Sequence, residues 1–278
     1  EVATLEKYTS KSELLAAVAD AEAIIIRSDI IDAEVFDAAK QLKIVVRAGA
    51  GYDNVDLEAA TAHGVCVMNT PGQNANAVAE LVFAMLLFAV RNRFNGTSGT
   101  ELKDKKLGLL AYGNTGRNVA RIAKGIGMEI YAYDPFTPAE AIEKEGVHAV
   151  ASQKELFSTC DIVSLHIPAT PETKGSIGRE LVSLLPKKAI LVNTARKEII
   201  NEPELIALLK EREDLRYLAD IRPAAHEEFE AAAGERYFST PKKMGAQTAE
   251  ANTNAGLAAA HQIVGFIKEG NERFRLNK

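Results

Sequence analysis

Residues 107–134 read LGLLAYGNTGRNVARIAKGIGMEIYAYD: a strand, a glycine-bearing turn, a helix, a second strand and a closing acid. The order has a mechanical reason. Leu107–Leu110 is a short apolar run suited to a strand covered on both faces. Gly113 and Gly116 let the backbone turn tightly and approach a pyrophosphate held at the helix N-terminus, where free N–H groups and the dipole favour an anion. Asp134 closes the next strand, 18 residues after Gly116. A carboxylate there binds the two hydroxyls of an adenine ribose and repels a 2′-phosphate, so NAD rather than NADP is the expected cofactor. The full fingerprint has three glycines, and Ala111 stands where the first belongs. Its methyl is acceptable provided φ stays negative.

Working outward, short apolar strands alternate with helical patterns along the chain, the signature of parallel α/β sheets. The strands expected are Ala23–Ile26, Ile44–Val46, Val65–Met68, Leu107–Leu110, Ile130–Tyr133, Ile162–Leu165, Ile190–Asn193 and Tyr217–Asp220, with helices at Ser12–Ala19, Ala33–Lys40, Leu57–Ala62 and Thr248–Gly265. The length of 278 residues suits two domains, and a hydrophobic content of 47% fills both cores. The net charge of −5 offers no broad basic field, so no nucleic-acid partner is expected. Cys66 and Cys160 lack CxxC spacing, which points to reduced thiols and a cytoplasmic setting. No signal peptide is visible, and the first residue, Glu1 in place of a Met, suggests trimming. Val78–Val90 is apolar apart from Glu80, yet too short to cross a bilayer, so no membrane partner is expected. It reads as a buried or subunit-interface helix, the latter implying a homodimer.

Several residues end strands, where ligands of a parallel sheet sit. Arg196 closes ILVNTAR and is either a carboxylate clamp or a surface arginine capping Glu198 or Glu202. Asp220 closes LAD and either orients the site or caps a turn. Arg27 and Arg47 follow the first two strands and suit a substrate with more than one negative group, or are solvated loop arginines. Among the histidines, only His166 ends a strand. His63, His148, His226 and His261 share no ligand spacing, so no metal is expected. TPKKMGAQT, residues 240–248, forms a loop before the last helix and carries Lys242 and Lys243, which stand either at the domain junction or, the reading the residues alone favour, as two surface lysines.

VRAGAGYDNVD (46–56), NTPGQNANAVAEL (69–81), the cofactor turn, SLHIPATPET (164–173) and LVNTARKEIINEPEL (191–205) stand in the order of the D-2-hydroxyacid dehydrogenases, which the chain resembles over essentially its whole length. RAGAGYDNVD and GTSGTELK are most similar to the short branch that oxidises 3-phosphoglycerate to 3-phosphohydroxypyruvate with NAD, the opening step of serine synthesis. The resemblance implies an α/β fold of two doubly wound parallel-sheet domains: a flavodoxin-like substrate domain (1–72 and 250–278) and a Rossmann dinucleotide-binding domain (73–249) with an interface helix. It assigns the substrate to Arg27, Arg47, Ala48, Gly49, Asn74, Arg196 and Lys243. It assigns the cofactor to Gly113, Asn114, Thr115, Gly116, Asp134, His166, Ile167, Pro168, Thr194, Ala195, Asp220 and Gly245.

Three departures stand out. The family's acid–base histidine aligns with Lys243, its paired glutamate with Ala225, and its opening strand has no counterpart before Glu1. A lysine has no tautomer to fix, which makes the glutamate dispensable. Lys243, with Arg196 beside it, is then the expected base, and Lys242 is the alternative one residue away. A reference pKa of ~10.4 must be lowered by burial, Arg196 and the cationic cofactor, so oxidation should favour alkaline pH. Competing expectations are a glyoxylate or hydroxypyruvate reductase of the same family, and a non-catalytic NAD-sensing binding protein.

Overall fold

The computed structural model describes residues 1–277. In chain order the elements are α1 (Lys11–Val18), β1 (Ala23–Ile26), α2 (Ala33–Ala38), β2 (Ile44–Arg47), α3 (Leu57–Ala62), β3 (Cys66–Asn69), α4 (Ala75–Val90), β4 (Lys106–Leu110), α5 (Asn114–Ile126), β5 (Glu129–Tyr133), α6 (Ala139–Lys144), β6 (His148–Ala149), α7 (Gln153–Thr159), β7 (Ile162–Leu165), α8 (Arg179–Val182), β8 (Ile190–Asn193), α9 (Glu202–Glu211), β9 (Arg216–Ala219), α10 (His226–Ala233), β10 (Tyr237–Ser239) and α11 (Ala249–Glu269). They form two compact units, residues 1–74 with 248–278 and residues 75–247.

The first unit is a three-stranded parallel sheet in the order β1-β2-β3. Alternation along the strands sends residues to two cores. Val45 and Val67 join Leu14, Val35, Phe36 and Ala60 on one side, while Ile44, Val46, Cys66 and Met68 meet Ala255 and Ala259 of α11 on the other. Side chains set the helix starts: Asp32 and Asp56 cap α2 and α3, and Thr248 caps α11.

The second unit is a seven-stranded parallel sheet in the order β10-β9-β8-β7-β4-β5-β6. The chain runs outward from β4 to β6, then crosses back to β7 and runs the other way. The reversal lies between β4 and β7, where a doubly wound sheet opens a crevice beyond its strand ends. Leu107 and Leu109 face Val82, Leu86, Val119 and Ala123 of α4 and α5, and Leu110 faces Leu156, Leu165 and Leu205 on the other side. Each such leucine contributes about 2 kcal/mol by leaving water.

β6 and β10 were not expected from the sequence; they have only two and three residues, too few for a period to show. Of the two expectations for the apolar helix, buried or at a subunit interface, the structure shows burial. α4 is covered largely from within its own unit, by α5 and the sheet, with ten of its sixteen residues buried. Leu87 and the nearby Phe94 remain exposed. Among the described residues no helix is long and apolar enough to cross a membrane.

Candidate active site

The turn after β4 is built as the sequence implies, with one correction. Ala111 takes φ +81°, against the negative value expected of it. The backbone has two obligations there. Ala111 N–H donates to the Tyr133 carbonyl at 2.9 Å, and Tyr112 N–H donates to Asp134 Oδ2 at 2.8 Å. Together they hold Ala111 in a region that disfavours any Cβ. Gly116 is required by packing: a Cβ there would stand 2.5 Å from the Ala111 carbonyl oxygen. Asp134 also accepts from Phe136 N–H at 2.8 Å and remains half-buried, so part of its carboxylate faces outward.

Across the reversal, His166 N–H donates to the Leu110 carbonyl at 2.9 Å, which sets the β7 edge beside the turn. Its Nε2 is buried and finds no hydrogen-bond partner among the described residues; burial pushes its pKa down to about 4, so the ring is neutral at physiological pH. Ile167 and Pro168 follow it. At the end of β8, Thr194 is buried and its hydroxyl likewise has no partner among the described residues. Asn193 folds the next turn, accepting from Ala195 N–H at 3.0 Å and donating to the Arg196 carbonyl at 2.9 Å.

That turn presents the Ala195 carbonyl to two cations. Arg196 Nη1 donates to it at 3.1 Å and Lys243 Nζ at 2.7 Å. Sharing one acceptor, ammonium and guanidinium stand no further apart than the two bonds laid end to end. Lys243 is half-buried, whereas Lys242 is exposed. Glu202, considered as a partner for Arg196, instead accepts from Ala224 and Ala225 N–H. His226, next to Ala225, is engaged by Tyr237 at 3.0 Å and by Glu230 at 3.3 Å.

Asp220, which the residues alone left as a site-orienting or turn-capping acid, accepts hydrogen bonds from the loop after β10. It is fully buried, with Oδ1 accepting from the Thr240 hydroxyl (2.9 Å) and Met244 N–H (2.7 Å), and Oδ2 from Gly245 N–H (2.8 Å).

In the first unit, Arg47 ends β2 in register with Ile26 and Asn69. Arg27 follows Ile26, so both guanidinium-bearing residues leave the same sheet edge. Arg27 is hydrogen-bonded to Asn252 of α11. Ala48 N–H donates to the Ile26 carbonyl at 2.8 Å, and Gly49 accepts from Thr70 N–H at 2.9 Å. Asn74 is the last residue before α4.

Residues 84–241 match the profile described as the NAD-binding domain of D-isomer-specific 2-hydroxyacid dehydrogenases. The chain belongs to that family. It is 38% identical to D-3-phosphoglycerate dehydrogenase of Methanocaldococcus jannaschii, over 95% of this chain and 53% of that protein. A similar protein of Sus scrofa is 35% identical over 93% of this chain and 51% of its own length. The chain thus spans about half the length of these curated relatives. A solved NAD⁺-bound 3-phosphoglycerate dehydrogenase of Entamoeba histolytica superposes with a TM-score of 0.88 at 48% identity, covering 99% of this chain and 88% of that one.

The second unit therefore carries the family's NAD-binding domain, and its residues fit that ligand. Gly113 leaves open space where a Cβ would stand, an acid with an outward face follows β5, and two buried polar atoms without a partner among the described residues, on His166 and Thr194, lie beyond the strand ends. Sequence reasoning missed Thr240 and Tyr112. Thr240 follows the overlooked β10, so no strand end was seen to deliver it. Tyr112 offered one signal, an aromatic residue inside the glycine turn; it is buried, and its hydroxyl donates to Glu145 at 2.8 Å, fixing the turn from beneath.

Proposed function

We propose that the protein oxidises 3-phosphoglycerate to 3-phosphohydroxypyruvate with NAD, the opening step of serine synthesis. The observation that carries the reading is the meeting of Lys243 and Arg196 on the Ala195 carbonyl, at the carboxyl edge of the NAD-binding sheet. When bound, NAD⁺ supplies a hydride acceptor for C2 of the substrate. Arg196 holds the substrate carboxylate as a planar fork matches it. Lys243, in its neutral form, takes the proton of the C2 hydroxyl as the C–H electrons leave and the carbonyl forms. Asp134 holds the adenine ribose hydroxyls, and the first turn of α5 receives the pyrophosphate. Ile167, Pro168, Thr194 and neutral His166 bound the cofactor side.

Residues 1–74 and 248–278 serve the substrate in this reading, with Arg27, Arg47, Ala48, Gly49 and Asn74 for its phosphate and carboxylate. The names of the relatives support the substrate. A cytoplasmic location accords with two free, buried cysteines. A homodimer would cover Leu87 and Phe94 beside α4.

The test is NADH formation from 3-phosphoglycerate beside D-hydroxy acids that lack a phosphate. Turnover of the phosphorylated acid, with a KM that rises strongly in Arg27→Ala, is the expected result. Preference for an unphosphorylated acid with Arg27→Ala silent would give the protein to the glyoxylate or hydroxypyruvate reductases. No turnover of any of them, with NAD still bound, would make it a binding protein.

A further inference from the structure

Asp220 is an uncommon acid. It is fully buried, it directly follows β9, and the three hydrogen bonds its carboxylate accepts among the described residues come from the single loop that carries Lys243. Two of the three are the backbone amides of Met244 and Gly245, the two residues directly after the lysine. Resting on the function proposed above, we propose that Asp220 is a positioning residue for Lys243: it grips the lysine loop by its backbone and so sets where the ammonium group stands.

A lysine side chain has four rotatable bonds and is poorly placed unless both ends are held. One end of Lys243 is held at Nζ by the Ala195 carbonyl, 2.7 Å away. Asp220 holds the other through the peptide that follows. The grip has little slack. A Cβ on Gly245 would lie 2.9 Å from Asp220 Oδ2 and 3.1 Å from Val78 Cγ2, so the loop is pressed between the carboxylate and α4. Gln247 N–H donates to the Met244 carbonyl at 2.8 Å and closes the loop behind it.

Strain marks the same place. Ile221, directly after Asp220, has φ +123°, an outlier for a β-branched residue. Such a conformation persists only where surrounding bonds over-determine it. Here the Ile221 amide donates to Thr240 Oγ1 at 2.8 Å, and that hydroxyl donates in turn to Asp220 Oδ1. Thr240 thus locks the strained residue and the acid to the start of the lysine loop together.

Asp220→Asn keeps the shape but turns one acceptor into a donor, which must then face an N–H of the loop. The loop is expected to shift by a fraction of its own hydrogen-bond length. Misplacement of that order lowers kcat for 3-phosphoglycerate oxidation about a hundredfold, with NAD affinity little changed and the alkaline rise of kcat displaced. In Lys243→Ala the same change should have almost no further effect, because residues that act through one another are not additive. Gly245→Ala, which pushes the loop from the opposite side, should act like Asp220→Asn. Amide hydrogen exchange gives a readout independent of turnover: Met244 and Gly245 should lose protection in Asp220→Asn while β9 keeps its own. The inference is overturned if those two amides stay protected, if kcat is unaffected, or if the loss lies wholly in NAD binding. Should the wild type turn over no hydroxy acid, the functional reading fails, and amide exchange alone decides whether the grip exists.

Discussion

Asp134 and Asp220 use one device in two places and to different ends. Each acid follows the last residue of a strand, β5 or β9, and each accepts backbone amides from a loop beside it: Tyr112 from the turn after β4, Met244 and Gly245 from the loop after β10. Asp134 stays half-buried, with carboxylate to spare for an incoming ribose, whereas Asp220 is sealed and its oxygens are taken up by the protein. Position at a strand end therefore does not by itself make an acid a ligand-binding group. What separates the two is burial: each oxygen of Asp134 also accepts a backbone amide, from Tyr112 or Phe136, yet the residue stays half-buried while Asp220 is sealed.

The contrast is sharpest at the lysine that Asp220 holds. Lys243→Ala is expected to cost about a thousandfold in kcat for oxidation, while the exposed Lys242→Ala stays near wild type; steady-state NADH formation from 3-phosphoglycerate checks both. An inversion of the two would move the base by one residue and detach it from the Ala195 carbonyl. At the other acid the damage should fall on binding. Asp134→Ala is expected to weaken NAD by about ten- to a hundredfold, the scale of losing charge-assisted hydrogen bonds, and to narrow the preference over NADP, with kcat at saturating cofactor held within a few-fold. Titration calorimetry with both cofactors reads this directly.

Two smaller effects sharpen the picture of the turn that Asp134 ties down. Gly116→Ala forces a methyl against the Ala111 carbonyl oxygen and should destabilise the protein by about 1–3 kcal/mol, seen as a lower denaturant midpoint. Ala111→Gly should do the reverse by up to about 1 kcal/mol, since it relieves a left-handed alanine. A destabilised Ala111→Gly would mean that the turn is not strained.

The same contrast explains what could be read from the sequence. The turn of Asp134 lies within one local stretch, Leu107–Asp134, whose strand, helix and strand obey short-range periodicities. Its logic was therefore visible residue by residue, save for the backbone of Ala111, where two distant hydrogen bonds outweigh the cost of a methyl. The grip of Asp220 joins residues 20 to 25 apart across β10, a strand of three residues. Neither that strand nor Thr240 carries a pattern of its own, so Asp220 was recognisable as an acid at a strand end but not as an acid already engaged. The convergence of Lys243 and Arg196 on one carbonyl depends in turn on Asn193, whose part in folding the turn needs three-dimensional contacts to appear.

The central claim is that neutral Lys243 takes the hydroxyl proton. Amine rescue of Lys243→Ala tests it most directly, with small primary amines of graded basicity added to the oxidation assay across neutral to alkaline pH. Turnover should return in proportion to the free-base amine and follow its basicity, with no rescue of Arg196→Ala. Full activity of Lys243→Ala without amine, or restoration by the protonated amine alone, would contradict it.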